Sequence, residues 1–124
     1  MPGERARFLA AQTATFVHLA LGEAGNAAAA AREAIALGTS TGDMPHVRYV
    51  ELYRAEALLE EGRCRAAEAL LKSVLGHTGL LPVQRRMAHA RLALVSSQLG
   101  RRRAARAALR ALGAGPRTPV EYLE

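Results

Sequence analysis

The sequence predicts an all-α protein built as a stack of three helical hairpins. Apolar residues recur at helical spacing along most of the chain, and three glycines, Gly22, Gly62 and Gly100, are separated by 40 and 38 residues. Each glycine is followed at the same offsets by an alanine and two further apolar residues: Ala27, Ala31 and Ala34; Ala67, Leu71 and Val74; Ala105, Leu109 and Leu112. Because a small residue lets a neighbouring helix approach closely, the recurrence indicates one structural unit repeated three times.

Two helices form the first predicted repeat, which covers approximately residues 4–37. Residues 4–21 have the apolar periodicity of a helix, and a turn over residues 22–26 follows. Residues 27–37 are largely alanine, the residue with the highest helix propensity. The segment 38–42, GTSTG, is expected to be a linker because of its Gly, Ser and Thr content.

The second predicted repeat covers approximately residues 44–75. Asp43 is a candidate N-cap, and Pro45 suits the first turn of the helix that follows it. That helix extends to Glu61 and carries apolar residues on more than one face, so we expect it to be the central helix with several neighbours. Residues 63–75 form its partner, and the next break follows.

The third predicted repeat covers approximately residues 82–112, with Pro82 in the first turn of its first helix. Its second helix is predicted over residues 101–112. Beyond it, the segment TPVE at 118–121 matches a capping box with proline at the first helical position. A short C-terminal capping helix is therefore predicted over residues 118–124.

Length and composition are those of a single domain, residues 1–124. Half of the residues are apolar, which is enough for a continuous core. Cys64 is the only cysteine, so no internal disulfide can form and a reducing compartment, the cytoplasm, is expected. Polar residues such as Gln12 interrupt the first apolar stretch, unlike in a signal peptide, and no apolar run reaches the length of a bilayer span. We therefore expect no membrane partner.

The second helix of each hairpin resembles the second half of a tetratricopeptide repeat. The segments that carry the resemblance are LGEAGNAAAAAREAIAL, EEGRCRAAEALLKSVL and QLGRRRAARAALRAL, in which the spacing from glycine to alanine matches. The first helices depart from the family pattern, and the repeat is longer than the usual ~34 residues. Longer repeats with TGD-like linkers are similar to those of large bacterial transcriptional regulators and signalling ATPases. The resemblance implies a right-handed superhelical α-solenoid that acts as a module of a bacterial regulatory protein or as an adaptor.

Stacked hairpins place their first helices on a concave inner wall, which suits a helix or an extended peptide. The residues predicted to form a partner-binding groove on that wall are Gln12, Phe16, Tyr49, Tyr53, Glu56, Met87 and Leu94. For Phe16, Leu52 and Leu94 a second interpretation stays open, because apolar residues at helical spacing are often core. We expect a protein or peptide partner and no enzymatic activity.

Basic residues are concentrated in the second half of the chain. Residues 69–120 contain ten Lys or Arg and no Asp or Glu, within a formal net charge of +6. The predicted basic patch consists of Arg85, Arg86, Arg101, Arg102, Arg103, Arg106 and Arg110, with Arg91 beside it. Such a patch suits phosphates or an acidic protein, so a nucleic-acid-binding domain is the alternative function. The segment lacks the aromatic residues that single-strand binders place between their charges.

Self-association is a further possibility that the charges and the apolar content allow. The central helix is acidic and the third hairpin is basic, so two copies can associate through these regions. The apolar flank of the last hairpin can also drive association if the C-terminal helix does not cover it.

Catalytic, cofactor and metal chemistry are not expected from the residue inventory. The chain has one Asp, one Cys and four His, no pair of which has metal-ligand spacing. His46 and His77 lie near linkers but lack a Cys or second carboxylate close by. Cys64 is interpreted as a small packing residue, the alternative being a thiol activated by Arg63 and Arg65.

Overall fold

The computed structural model describes residues 2–114, and within that range the chain forms six α-helices and no strand. The helices are α1 (Pro2–Ala20), α2 (Ala24–Thr41), α3 (Met44–Glu60), α4 (Cys64–Leu75), α5 (Pro82–Gln98) and α6 (Arg102–Ala114). The all-α fold class is confirmed. The capping helix predicted over residues 118–124 lies outside the described residues.

The three repeat glycines end α1, α3 and α5 in turns of the same geometry. Gly22, Gly62 and Gly100 have φ of 76°, 76° and 74°, in the left-handed region that side chains with a Cβ avoid. In each turn the glycine N–H donates to the carbonyl three residues earlier at 3.0 Å, and the next N–H donates to the carbonyl five residues earlier at 2.8 Å. This is the Schellman motif, so the glycine spacing read from the sequence corresponds to one turn used three times.

The linker predicted over residues 38–42 is wrong, because α2 continues as a helix to Thr41. Gly38 is buried in that helix at the closest approach of three helices. A Cβ at Gly38 would lie 2.5 Å from Val47 Cγ2 and 3.1 Å from Phe8 Cε2. The glycine is therefore present for close packing, and tertiary contact overrides its low helix propensity. The turn comes at Gly42 instead, with φ of 79°.

The third helix is central, as its apolar pattern predicts. Each helix packs against the next in the chain, and α3 also packs against α1 and α5. Among the described helices α1 contacts only α2 and α3. Every contact among the described helices therefore joins helices that are consecutive in the chain or one helix apart.

Apolar burial is uneven along the stack. The largest cluster joins α3, α4 and α5 and the loop before α5; its fully buried side chains include Leu52, Leu71 and Val74. Between α2 and α3, by contrast, α2 contributes mainly alanines: one buried cluster consists of Ala27, Ala28 and Ala57, and in another Val50 of α3 packs with Phe8 of α1 and alanines of α2. Ala27 and Ala67 are fully buried, as the repeat spacing predicts, whereas Ala105 is only half-buried.

Two polar residues, Asp43 and Gln84, connect the first helices of consecutive hairpins. Asp43 is the N-cap residue of α3, as predicted, but its carboxylate makes no capping hydrogen bond; it hydrogen bonds His46 Nδ1 at 2.8 Å and pairs with Arg5 of α1. The His46 hydrogen bond, and then Arg5, hold the pKa of Asp43 below its usual value. Gln84 is fully buried, accepts from the Leu81 N–H at 3.0 Å and donates to the Pro45 carbonyl at 2.7 Å. Both contacts tie consecutive hairpins together.

Candidate functional site

A pocket of about 410 Å³ opens where α1, α3 and α5 lie side by side. Its lining residues are Phe16, Leu19, Ala20, Tyr53, Glu56, Leu59, Glu60, Arg91 and Leu94. Four residues of the predicted groove, Phe16, Tyr53, Glu56 and Leu94, are therefore brought together. Each lies on the first helix of its hairpin, as the stacked arrangement predicts.

The apolar wall of the pocket is exposed rather than part of the core. Phe16 is 57% exposed and Leu94 is 53% exposed, whereas Leu52 is fully buried. Of the three residues for which the sequence left two interpretations open, Leu52 therefore belongs to the core, and Phe16 and Leu94 lie on the surface. The Phe16 and Tyr53 rings meet edge to face, with centroids 5.8 Å apart and an interplanar angle of 72°.

A charged pair forms the other side of the pocket. Arg91 of α5 donates through Nη2 to Glu56 Oε1 of α3, and its Nη1 donates to the Met87 carbonyl at 3.4 Å. Arg91 Nε is buried without a hydrogen-bond partner among the described residues. The sequence placed Arg91 beside the basic patch, and the structure places it in the pocket. The register between hairpins, which sets this pairing, is not visible in the sequence.

The aromatic contact and the ion pair occupy equivalent places in the repeat. Phe16 and Glu56 both lie six residues before their turn glycines, and Tyr53 and Arg91 both lie nine residues before theirs. The contact between these two places is therefore aromatic between α1 and α3 and ionic between α3 and α5. The pocket consequently has an aromatic end and a charged end.

Three residues of the predicted groove do not line the pocket. Gln12 and Tyr49 are half-buried beside it, and Met87 is half-buried against the core cluster of α3, α4 and α5. Leu19 and Leu59 also line the pocket, and their spacing, three residues after Phe16 and Glu56 on the same helical faces, places them on the predicted inner wall.

The basic patch is only partly free to meet a ligand. Arg101 donates to both carboxylate oxygens of Glu68, whose side chain is 10% exposed, so Arg101 links the α5–α6 turn to α4. Arg85 is exposed and Arg86 is half-buried. The exposed arginines of α6 are Arg102, Arg103, Arg106 and Arg110. A shallow depression of about 490 Å³ lies beside Arg102 and Arg106.

His77 and Cys64 have hydrogen-bond partners, whereas His89 Nδ1 is buried without one among the described residues. His77 Nδ1 lies 3.3 Å from Arg48 Nη2, and the Cys64 thiol donates to Gln98 Oε1 at 3.3 Å. Burial, and then the nearby charge of Arg85, lower the pKa of His89 from its usual value. In the described part of the chain no group of three His, Cys, Asp or Glu side chains is arranged to hold a metal ion. None of the helices within residues 2–114 has both the length and the apolar character needed to cross a bilayer.

Comparison of the chain with protein-family models, curated proteins and solved structures finds no match.

Proposed function

We propose that the chain is a non-enzymatic protein-interaction module that binds a segment of a partner protein in the pocket between α1, α3 and α5. One observation carries the proposal: large apolar side chains, Phe16 and Leu94, are more than half exposed and lie together in a concave surface. Exposed apolar side chains grouped in this way are typical of interaction sites.

We further propose that the hairpins form an open, right-handed superhelical stack of the tetratricopeptide type, within a bacterial regulatory or signalling protein of the cytoplasm. Three turns of the same geometry, and packing limited to helices that are consecutive or one helix apart in the chain, support this architecture. The resemblance of the second helices to that family supports the regulatory role.

The chemistry of the pocket suggests what the partner presents. Phe16, Tyr53 and Leu94 suit an apolar anchor such as Leu or Phe on an amphipathic segment. Glu56 is already paired with Arg91, whereas Glu60 at the rim is exposed. A basic residue beside the anchor is therefore expected to contact Glu60.

The test is peptide selection against the immobilised protein. A displayed library of random peptides is selected on the full chain, and dissociation constants of the enriched peptides are measured by fluorescence anisotropy. Tyr53→Ala and Phe16→Ala are each expected to weaken binding at least about tenfold, since a buried aromatic anchor contact is worth more than ~1.4 kcal/mol. The matched control is Leu21→Ala, which removes an exposed apolar side chain outside the pocket. Equal loss in all three variants, or in none, would refute the pocket as the binding site.

Nucleic-acid binding is the second candidate because α6 exposes Arg102, Arg103, Arg106 and Arg110 on one helix. This function predicts that a labelled single-stranded oligonucleotide binds at 0.15 M salt, with an affinity that falls steeply as salt rises (screening length about 8 Å). Replacement of Arg102 and Arg103 by Ala should reduce both the affinity and the salt slope. Binding that is unchanged in that variant would remove the α6 arginines from consideration.

A further inference from the structure

We propose that this chain assembles head to tail, with the outer face of α6 in one copy packed on the exposed face of α1 in the next copy. The contact would repeat the packing of α2 on α3 and of α4 on α5. The assembly goes beyond the proposed pocket, with which it shares Leu94, and uses the two ends of the stack.

The first observation is an exposed face of α1 that is buried in the equivalent helices. Val17 lies five residues before its turn glycine, and the equivalent residues are Ala57 in α3 and Val95 in α5. Ala57 and Val95 are fully buried, whereas Val17 is 44% exposed. Ala57 is covered by Ala27 and Ala28 of the preceding hairpin. On α1 no described helix occupies that place.

The residues seven positions earlier in the same three helices show the same difference in burial. Val50 of α3 and Ala88 of α5 are fully buried, and Ala10 of α1 is exposed. The exposed face of α1 therefore has the apolar composition of a helix that packs on a preceding hairpin.

The second observation is the matching face at the other end. Leu109 of α6 is 56% exposed, whereas the equivalent residues, Ala31 of α2 and Leu71 of α4, are fully buried. Ala105 is half-buried, and its equivalents Ala27 and Ala67 are fully buried. The α6 face that would receive a following helix thus carries a leucine and a small residue in the places where the other hairpins make their contacts.

Charge at the ends adds an independent argument for a second copy as the occupant. Between the second and third hairpins, Glu68 pairs with Arg101. Glu68 lies six residues after its turn glycine, and Arg101 lies one residue after the next turn glycine. At a junction between copies the same two places hold Arg106 and Glu23, so the pair would be kept with its signs exchanged. Glu23 already hydrogen bonds His18 Nδ1 at 2.7 Å within its own copy, and its side chain stays 44% exposed.

Nearby places at the copy junction are compatible. Phe16 contacts Tyr53 between α1 and α3, and Glu56 contacts Arg91 between α3 and α5. At the copy junction the equivalent residues are Leu94 and Thr13 of the next copy, both of which are exposed. Between the first and second hairpins the charged pair is replaced by Ala28 and Arg63, so the pair orients the contact and is not needed at every junction.

Head-to-tail contact uses two different surfaces, so an assembly of any length still has one free α1 face and one free α6 face. Such heterologous association grows without a fixed number of subunits unless it closes into a ring. The weight-average mass in sedimentation equilibrium is therefore expected to rise steadily with concentration. Measurements at 0.15 M salt reduce the repulsion between copies of net charge +6.

The decisive experiment mixes two variants, each with one end blocked. Val17→Asp blocks the α1 face and Leu109→Asp blocks the α6 face, and both side chains are exposed, so the monomer fold is retained. Each variant alone is expected to be monomeric, and an equimolar mixture is expected to form one-to-one pairs and nothing larger. A mixture that stays monomeric would overturn the proposal, as would a closed dimer of the natural chain.

The charge exchange gives a second, independent test. Arg106→Glu and Glu23→Arg each place like charges opposite each other and are expected to weaken association about tenfold, whereas the double variant restores it. Arg110→Glu is the matched control, because its equivalents Arg32 and Lys72 are exposed as well and lie away from the junction face. Additive effects of the two substitutions, with no restoration, would contradict the pairing.

Two outcomes separate this inference from its alternatives. If residues 115–124 cover α6 instead, the natural chain stays monomeric at all concentrations, and this result would overturn head-to-tail assembly. Tyr53→Ala is expected to leave self-association unchanged while it weakens peptide binding. Failure of the pocket and failure of the assembly are therefore distinguishable.

Discussion

Replacement of Gly38 by alanine tests how closely α2 packs on α1 and α3. The substitution has a favourable term, because alanine in a helix interior is better than glycine by ~0.5–1 kcal/mol. The opposing term is steric, since the new Cβ would lie 2.5 Å from Val47 Cγ2 and 3.1 Å from the Phe8 ring. Ordinary carbon contacts are about 3.5–4.0 Å, and overpacking of this kind costs ~1–3 kcal/mol.

Neither neighbour of Gly38 can move away at low cost. Val47 and Phe8 are both fully buried, and a β-branched side chain in a helix has one strongly preferred rotamer. The steric term therefore exceeds the gain in propensity, and we expect Gly38→Ala to lower the free energy of unfolding by about 1–2 kcal/mol. The corresponding fall in melting temperature is about 3–10 °C for a domain of this size.

Urea denaturation followed by circular dichroism measures this change. The matched control is Gly25→Ala on the same helix, where no atom lies within 4 Å of the added Cβ; it is expected to be neutral or stabilising by up to ~1 kcal/mol. In the Gly38→Ala background, Val47→Ala should cost about 1–2 kcal/mol less than it does alone, because it removes the clashing methyl. If Gly38→Ala is as stable as the natural chain, the close approach of the helices is wrong.

Three further substitutions test other contacts by urea denaturation. Arg101→Ala is expected to cost about 1–2 kcal/mol, since it leaves the Glu68 carboxylate buried and unpaired, and adding Glu68→Met should recover part of the loss. Because folding lowers the pKa of His89, the unfolded chain binds a proton on this side chain more readily than the folded chain does, and stability is lost as pH falls from 6.5 toward the folded-state pKa. His89→Leu should remove that part of the pH dependence of the free energy of unfolding. An unchanged slope of that free energy against pH would contradict this account. Gly62→Ala is expected to cost ~1–2 kcal/mol, because its φ is 76° while its surroundings are open, and Gly62→Asn should cost less.

Much of the fold could be predicted from the sequence because its turns are local. A glycine with positive φ at the end of a helix depends on few distant contacts, so the spacing of Gly22, Gly62 and Gly100 located three turns correctly. Gly38 was mistaken for part of a linker because its reason for being glycine lies in Val47 and Phe8 on other helices. The stripe Ala27, Ala31, Ala34 and Gly38 is continuous at helical spacing, and it is the feature that could have indicated a longer helix.

The site was predictable in part for a similar reason. Stacked hairpins bring equivalent faces together, so Phe16, Tyr53 and Leu94 could be assigned to one surface. The partner of Arg91 could not be predicted, because a sequence does not give the offset between neighbouring hairpins. A shift of one helical turn would place Arg91 against another residue. Leu52 and Leu94 lie ten and six residues before their turn glycines, and of the two only Leu52 belongs to the core cluster of α3, α4 and α5.

The uneven core also implies an order in which the chain comes apart. Leucine and valine fill the contact between α3, α4 and α5, whereas α2 contributes mainly alanines to its contact with α3, and Ala108 is the one fully described residue of α6 that is buried. Less apolar area at the two ends means less resistance to local opening there. Amide protons of α4 should therefore exchange with solvent most slowly and those of α6 most quickly, so that protease cutting and thermal fraying both begin at the periphery and spare the middle of the chain.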